Sequence, residues 1–195
     1  MANLPTDDIV AENTISNTFN FQIVTYIDLR QNNSIESIIT NIINIISNDN
    51  NEARDFAVLA SSTKLLRNID ILYRQRTNEQ TEITFISNET LERLKQIHQV
   101  TDEKAANWKF NRDFEALERT RKQLFTTDKR CLKISTIQSF KGWESPSVIV
   151  ILHNTTSRPM SPQTIYTAIT RARENMYIIN IGNDTYHNFF YNQTL

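Results

Sequence analysis

The chain has 195 residues, of which 39% are hydrophobic and 22% are charged, and its formal net charge is −1 at pH 7. This composition is typical of a globular protein with one core, and it argues against a disordered or membrane-embedded chain. Because the charge is nearly balanced, any polyanion must be held by local groups rather than by an overall basic field.

Three residue types limit the chemistry further. Cys131 is the only cysteine, which excludes an internal disulfide, and with no leader pattern at the N-terminus we expect a cytoplasmic protein. The three histidines are far apart in sequence, so no metal site is predicted. Gly142 and Gly182, the only glycines, fit no frame of Gly, four residues and Gly-Lys-Ser/Thr. The chain therefore has no P-loop of its own.

The first half alternates strand and helix patterns. Residues 1–20 are polar and are interpreted as a tail or linker, and residues 21–195 as one domain. A β-favouring run at 22–27 precedes Ser34, a candidate N-cap, and isoleucines at helical spacing over 35–46. The apolar run 56–60 has the pattern of a strand covered on both faces. A capped helix, a strand at 83–86 and another helix at 88–98 are predicted to follow.

The section from 102 to 125 carries large apolar residues at near-helical spacing. These are Trp108, Phe110, Phe114, Leu117 and Leu124. We expect this stripe to pack in the core, the alternative being a platform on which bases stack.

The last part predicts strands at 132–137 and 147–152, a helix that begins at Ser161 and Pro162, and a strand at 176–181. Six strands alternating with helices predict an α/β fold with a mostly parallel, doubly wound sheet. The loop between the first two of these strands places a cation, a close-approach backbone and an acceptor within a few residues, at Lys141, Gly142 and Glu144. From spacing alone, an ordinary solvated turn remains the alternative.

Two segments resemble motifs of superfamily 1 helicases of the UvrD/Rep type. The sequence TIQSFKGWE at 136–144 is similar to motif V, and IYTAITRARE at 165–174 is similar to motif VI with its Tyr and Thr-Arg-Ala core. The resemblance covers roughly residues 22–182 and implies a RecA-like, three-layer C-terminal domain. The usual motif V histidine is Gln138 here, and a motif IV arginine is missing, Arg30 being the only candidate.

The resemblance also implies roles for the matching residues. Arg171 is expected to be catalytic by reaching the γ-phosphate of ATP, where a planar, permanent cation stabilises the charge that develops on the transferring group. Gly142 and Glu144 are expected to bind the nucleotide, with Glu144 accepting from the ribose hydroxyls. Single-stranded nucleic acid is expected to contact four residues. These are Thr136, Gln138, Ser139 and Lys141.

The hypothesis also requires a P-loop domain that this chain does not contain. ATP and Mg²⁺ would be held mainly by a P-loop helicase domain that is absent from this chain, so the chain alone is predicted to be inactive. The expected partners are that N-terminal P-loop domain and single-stranded nucleic acid, DNA more than RNA, and no membrane. The alternative function is a non-catalytic interaction or regulatory module that keeps the helicase-domain fold.

Overall fold

The computed structural model describes residues 22–48, 52–101, 107–154 and 160–193, and the predicted tail at 1–20 lies outside these ranges. The described residues form one sheet of six strands with helices on both faces. The strands are β1 (Gln22–Asp28), β2 (Phe56–Ala60), β3 (Thr81–Ile83), β4 (Leu132–Thr136), β5 (Ser145–Leu152) and β6 (Ala172–Asn180). The helices are α1 (Ile35–Asn48), α2 (Thr63–Thr77), α3 (Asn88–His98), α4 (Trp108–Leu124), α5 (Pro162–Ile169) and α6 (His187–Gln193).

The strand order is β1-β6-β5-β2-β4-β3, and every neighbouring pair is parallel. The predicted α/β fold with a parallel sheet is therefore confirmed. Since all strands point the same way, the sheet has one carboxyl edge and one amino edge, and loops at the two edges face opposite ends of the domain.

Strand β2 shows how the sequence builds two cores. All its residues are buried, and alternate side chains point to opposite faces. Phe56, Val58 and Ala60 pack with the isoleucines of α1 and with α2, whereas Ala57 and Leu59 pack with α5 and α6. A strand covered on both faces has no polar side to show, which explains its continuous apolar run.

Side-chain caps fix where the helices begin. The Ser161 hydroxyl accepts from the backbone N–H of Thr164 at 3.2 Å, with Pro162 in the first turn, as the sequence predicts. The Ser34 hydroxyl accepts from the N–H of Ser37 at 3.2 Å. These bonds satisfy donors that the first turn of a helix leaves without partners.

Helices α3 and α4 form a hairpin with a small core of its own, made of Ile86, Leu91, Leu94, Val100 and Phe110. Phe110 is buried as predicted, but Trp108 is 66% exposed and Leu124 65% exposed, so the prediction of a continuous core stripe is wrong. The reason is that α4 packs only a narrow face against α3. Side chains on the rest of α4 remain in solvent.

Several element boundaries differ from the predicted ones: β3 ends at Ile83 rather than at 86, β4 ends at Thr136 rather than at 137, and β5 begins at Ser145 rather than at 147. Strand β3 begins at Thr81, not at 83, because Glu82 can occupy a buried strand position where the Lys129 Nζ binds its carboxylate at 2.6 Å. Strand β6 begins at Ala172, not at 176, because the chain joins the ladder with β5 directly after Arg171. Within the described ranges, no helix is long and apolar enough to cross a membrane.

Candidate nucleotide and nucleic-acid interface

The first group of predicted site residues forms a turn at the carboxyl edge of β4. The Thr136 hydroxyl accepts from the backbone N–H of Ser139 at 3.1 Å and donates to the Ser139 hydroxyl at 2.8 Å. The N–H of Phe140 donates to the Thr136 carbonyl at 3.0 Å. Gln138 lies at the tip of this turn and is exposed. The turn therefore presents a hydroxyl and a carboxamide to solvent in a fixed geometry.

Residues 137–144 then run from the carboxyl edge of β4 to the amino edge of β5. Ile137 and Phe140 bury their side chains in the core on the α5 and α6 face. Phe125 meets Phe140 and Trp143 edge-on, with ring centroids 6.1 Å and 5.6 Å apart. Trp143 is thus a packing residue, as the sequence predicts. We call residues 137–144 the crossing segment.

The strand register gives the distance that the crossing segment covers. Thr136 lies beside Ala60, and Ser147 lies beside Phe56 at the other end of β2. Ser145, where β5 begins, lies two residues before Ser147. Thr136 and Ser145 are therefore about 20 Å apart along the strand direction. The predicted site residues therefore form two groups at opposite edges of the sheet.

The second group lies at the amino edge. Gly142 adopts φ +94°, and a Cβ added there would meet nothing within 4 Å. Glu144 and Lys141 are exposed, and no ion pair or side-chain hydrogen bond to either is found in the part of the chain that the structure describes. The N–H of Ser145 donates to the carbonyl of Arg171 at 3.0 Å, which brings the two motifs together.

Arg171 lies in the turn between α5 and β6. Its Nη2 donates to the Thr170 hydroxyl at 3.0 Å, its Nε to the Thr167 carbonyl at 3.2 Å, and its Nη1 to the Trp143 carbonyl at 3.4 Å. No carboxylate of the described ranges pairs with it. The guanidinium is therefore positioned by neutral acceptors and keeps its charge uncompensated, with further N–H donors left over.

Arg171 lies just beyond the end of helix α5. Helix α5 ends at Ile169, and the N–H of Thr170 folds back onto the carbonyl of Tyr166 at 3.0 Å. Arg173 lies in β6 and is exposed, so it is a surface residue. Arg30, the only candidate for a motif IV arginine, binds Asp28 at 3.0 Å and Asp184 at 2.7 Å.

Sequence reasoning missed a buried histidine at the carboxyl edge. His153 follows β5 directly and is 8% exposed, and its Nε2 lies 3.3 Å from the Ser61 hydroxyl. Its Nδ1 is buried, and none of the described residues binds it. Burial lowers the pKa of His153 below its usual value. The signal in the sequence is that the apolar run of β5 continues directly into a histidine.

Potential metal-ligating side chains do not form a cluster in the part of the chain that the structure describes. Among residues 22–48, 52–101, 107–154 and 160–193, no three His, Cys, Asp or Glu side chains are grouped as a metal site would need.

The parallel sheet and its two helical layers define the class of this protein as a three-layer α/β domain. Residues 132–179, which include both motifs, match the family model of the UvrD-like helicase C-terminal domain. The resemblance predicted from sequence is thereby confirmed for this segment.

Among solved structures, the chain is similar to the C-terminal domain of a possible DNA helicase from Lactobacillus plantarum WCFS1. The identity is 14% and the TM-score 0.50, and the match covers 83% of this chain and 76% of that chain. At this identity the likeness shows the fold. No curated protein matches the sequence.

Proposed function

We propose that the chain is the second motor domain of an ATP-dependent superfamily 1 helicase acting on single-stranded DNA more than RNA. ATP and Mg²⁺ are held mainly by a P-loop domain absent from this chain, and the present domain closes on that partner. The observation that carries the proposal is the amino-edge group. There Gly142, Glu144 and Arg171 are joined by the Ser145 to Arg171 backbone bond.

The surroundings of Arg171 support the proposed γ-phosphate contact. Its partners are two backbone carbonyls and a hydroxyl, all neutral. An arginine held by neutral groups needs no carboxylate to be displaced before it meets a phosphate. Its charge and planar fork suit a transferring phosphoryl group, whose negative charge is spread over several oxygens.

Gly142 and Glu144 support a nucleotide contact beside it. Open space around the Gly142 Cα lets a ligand approach the backbone closely. The exposed Glu144 carboxylate can accept hydrogen bonds from both hydroxyls of a ribose. These groups bind and orient, and they supply no acid or base chemistry, which leaves that work to the P-loop partner.

The carboxyl-edge group supplies the proposed strand contact. The Thr136 and Ser139 turn and exposed Gln138 offer hydroxyl and amide donors to a nucleic-acid backbone, and exposed Lys141, further along the crossing segment, adds an ammonium donor. Such contacts position a strand without reading its sequence.

The test is the ATPase activity of the complex between this chain and its P-loop domain, with and without single-stranded DNA. We expect Arg171→Ala to lower strand-stimulated activity about 10³-fold, as loss of an arginine finger does. Arg173→Ala is the matched control, because this arginine is close in sequence and exposed in β6. Equal activity of the Arg171→Ala and Arg173→Ala complexes would rule out the proposed role.

A second candidate is an interaction module that keeps the helicase-domain fold. The observation in its favour is on the short helix α6, where Phe189 is 55% exposed and Tyr191 49% exposed. Aromatic side chains in solvent suit a protein contact. This second candidate is favoured if Arg171→Ala leaves the ATPase activity unchanged while Phe189→Ala weakens binding of the P-loop domain.

A further inference from the structure

We propose that the α3–α4 hairpin carries a second contact for single-stranded nucleic acid, in which a base stacks on Trp108 while Lys109 and Arg112 hold the neighbouring phosphates. The inference rests on the proposed function, since it extends the same strand beyond the Thr136 and Ser139 turn. Three features of the hairpin support it: an aromatic ring in solvent, a local excess of positive charge, and the position of the hairpin.

The aromatic feature is Trp108 in the first turn of α4. Its side chain is 66% exposed, whereas Phe110, two residues further on, is 3% exposed and fills the hairpin core. The core of the hairpin is thus complete without Trp108. A large apolar ring kept in water has no role in packing, and every base has a face that can stack on it.

Two cations lie over this ring. The Lys109 Nζ is 5.8 Å from the Trp108 ring centroid and the Arg112 Cζ is 5.5 Å from it. Cations at this distance are attracted by the ring, which keeps them beside it. A stacked base would therefore have its phosphates within reach of two positive charges, the combination that single-strand binding sites use.

The charge of α4 favours a polyanion over a neutral partner. The helix carries five basic side chains, Lys109, Arg112, Arg119, Arg121 and Lys122, against three acidic ones, Asp113, Glu115 and Glu118. Two of these acids have partners on other elements. Asp113 binds His98 at 3.1 Å as well as its neighbour Arg112 at 2.9 Å, and Glu118 accepts from the N–H of Ile86 at 3.2 Å. The positive excess lies on a chain whose net charge is −1, so it is a local property of this helix.

The hairpin leaves the sheet beside the proposed strand contact. Ile83 of β3 is level with Ile134 of β4, and the Thr84 hydroxyl lies 2.9 Å from the Ser135 hydroxyl. The chain therefore enters α3 at the same carboxyl edge that presents Thr136. Glu118 of α4 is held at this edge because it binds the N–H of Ile86. Trp108 lies ten positions before Glu118, about 15 Å along the helix axis, a distance that single-stranded nucleic acid spans in a few nucleotides.

The test measures binding of a fluorescein-labelled 20-nucleotide oligothymidylate to the 195-residue chain by anisotropy. We expect Trp108→Ala to weaken binding about tenfold, within the range for loss of one stacked base. Trp108→Phe should keep most of the affinity, because a smaller ring still stacks. Phe189→Ala is the matched control, since it removes another exposed aromatic side chain from a distant helix.

Two further measurements separate stacking from charge. In Trp143→Phe, Trp108 is the only tryptophan, and its fluorescence should be quenched by the oligonucleotide. The double variant Lys109→Ala, Arg112→Ala should reduce the slope of log affinity against log salt by about 1.4, the value for two lost contacts to a single strand. Arg121→Ala, on the other side of α4, should leave the tryptophan quenching unchanged.

The outcomes distinguish this inference from the proposed function. It is overturned if Trp108→Ala binds the oligonucleotide like Phe189→Ala, or if the chain binds no oligonucleotide. If Trp108→Ala instead weakens binding of the P-loop domain and leaves oligonucleotide affinity unchanged, the ring docks a protein and the inference is wrong. In each case the Arg171→Ala ATPase result still decides the motor function separately.

Discussion

The backbone N–H of Ser145 donates to the backbone carbonyl of Arg171 at 3.0 Å. This bond begins the ladder between β5 and β6 and holds the ends of the two helicase-like motifs together. Because it involves only main-chain atoms, it survives any replacement of the Arg171 side chain. The arginine can therefore be changed without separating the two motifs.

Arg171→Ala should leave the fold of the isolated chain nearly unchanged. The side chain makes three hydrogen bonds to neutral groups at the surface, and we expect their loss to lower the free energy of unfolding by about 1 kcal/mol. Urea unfolding of the variant and of Arg173→Ala measures this. A loss of about 3 kcal/mol or more would show that Arg171 mainly supports the fold, and a drop in ATPase activity could then not be assigned to chemistry.

Gly142→Ala should affect both stability and activity. A φ of +94° is strained for any residue with a Cβ, and we expect the substitution to cost about 1–2 kcal/mol although no atom blocks the new methyl group. Gly182→Ala is the matched control, because Gly182 has φ +137° and equally open surroundings. Both variants should unfold at lower urea concentration, but only Gly142→Ala should lower the ATPase activity of the complex. Equal ATPase activities of the two variants would show that Gly142 does not contribute to the nucleotide site.

Thr136→Val should loosen the carboxyl-edge turn. The substitution keeps the side-chain shape but removes the hydroxyl that binds both the N–H and the hydroxyl of Ser139. We expect oligonucleotide affinity to fall about fivefold, equivalent to about 1 kcal/mol. In Thr40→Val, the same change removes a hydroxyl that donates to the Glu36 carbonyl and accepts from Arg76, far from this turn in sequence, and it should leave affinity unchanged. If Thr136→Val binds the oligonucleotide as tightly as the wild type, the nucleic-acid strand does not contact this turn.

His153 should make the fold sensitive to mild acid. Burial lowers the pKa of its imidazole in the folded state, so the unfolded chain takes up the proton first. Stability is therefore complete above the ordinary histidine pKa of about 6.5 and falls as the pH drops from there towards the lowered value. Urea unfolding at pH 7.5 and pH 5.5 measures this loss. We expect a smaller loss for His153→Gln and a wild-type loss for Ser61→Ala, which keeps the imidazole.

The sequence predicted the sheet because its signals are local. Ser161 with Pro162 marks a helix start, and the run from Phe56 to Ala60 marks a strand buried on both faces, whatever lies elsewhere. The exposure of Trp108 could not be predicted in this way, because helical spacing does not say how wide a face its partner helix covers. The start of β6 at Ala172 depended on a bond to Ser145, which is distant in sequence.

The placement of the site residues could not be predicted from local sequence signals either. Their order in the chain suggests one compact loop, but the parallel register puts Thr136 and Glu144 at opposite edges of the sheet. Only the pairing of β2 with both β4 and β5 reveals this, and no pattern within residues 136–144 encodes it.

The crossing segment has a thermodynamic consequence. Any factor by which a bound strand changes nucleotide affinity must equal the factor by which the nucleotide changes strand affinity, and one short, packed piece of chain joins the two proposed sites. Phe140 and Trp143, which fix the segment between the two edges, would set the size of that shared factor without touching either ligand. In this domain, allosteric coupling would thus be a property of two aromatic side chains in the core.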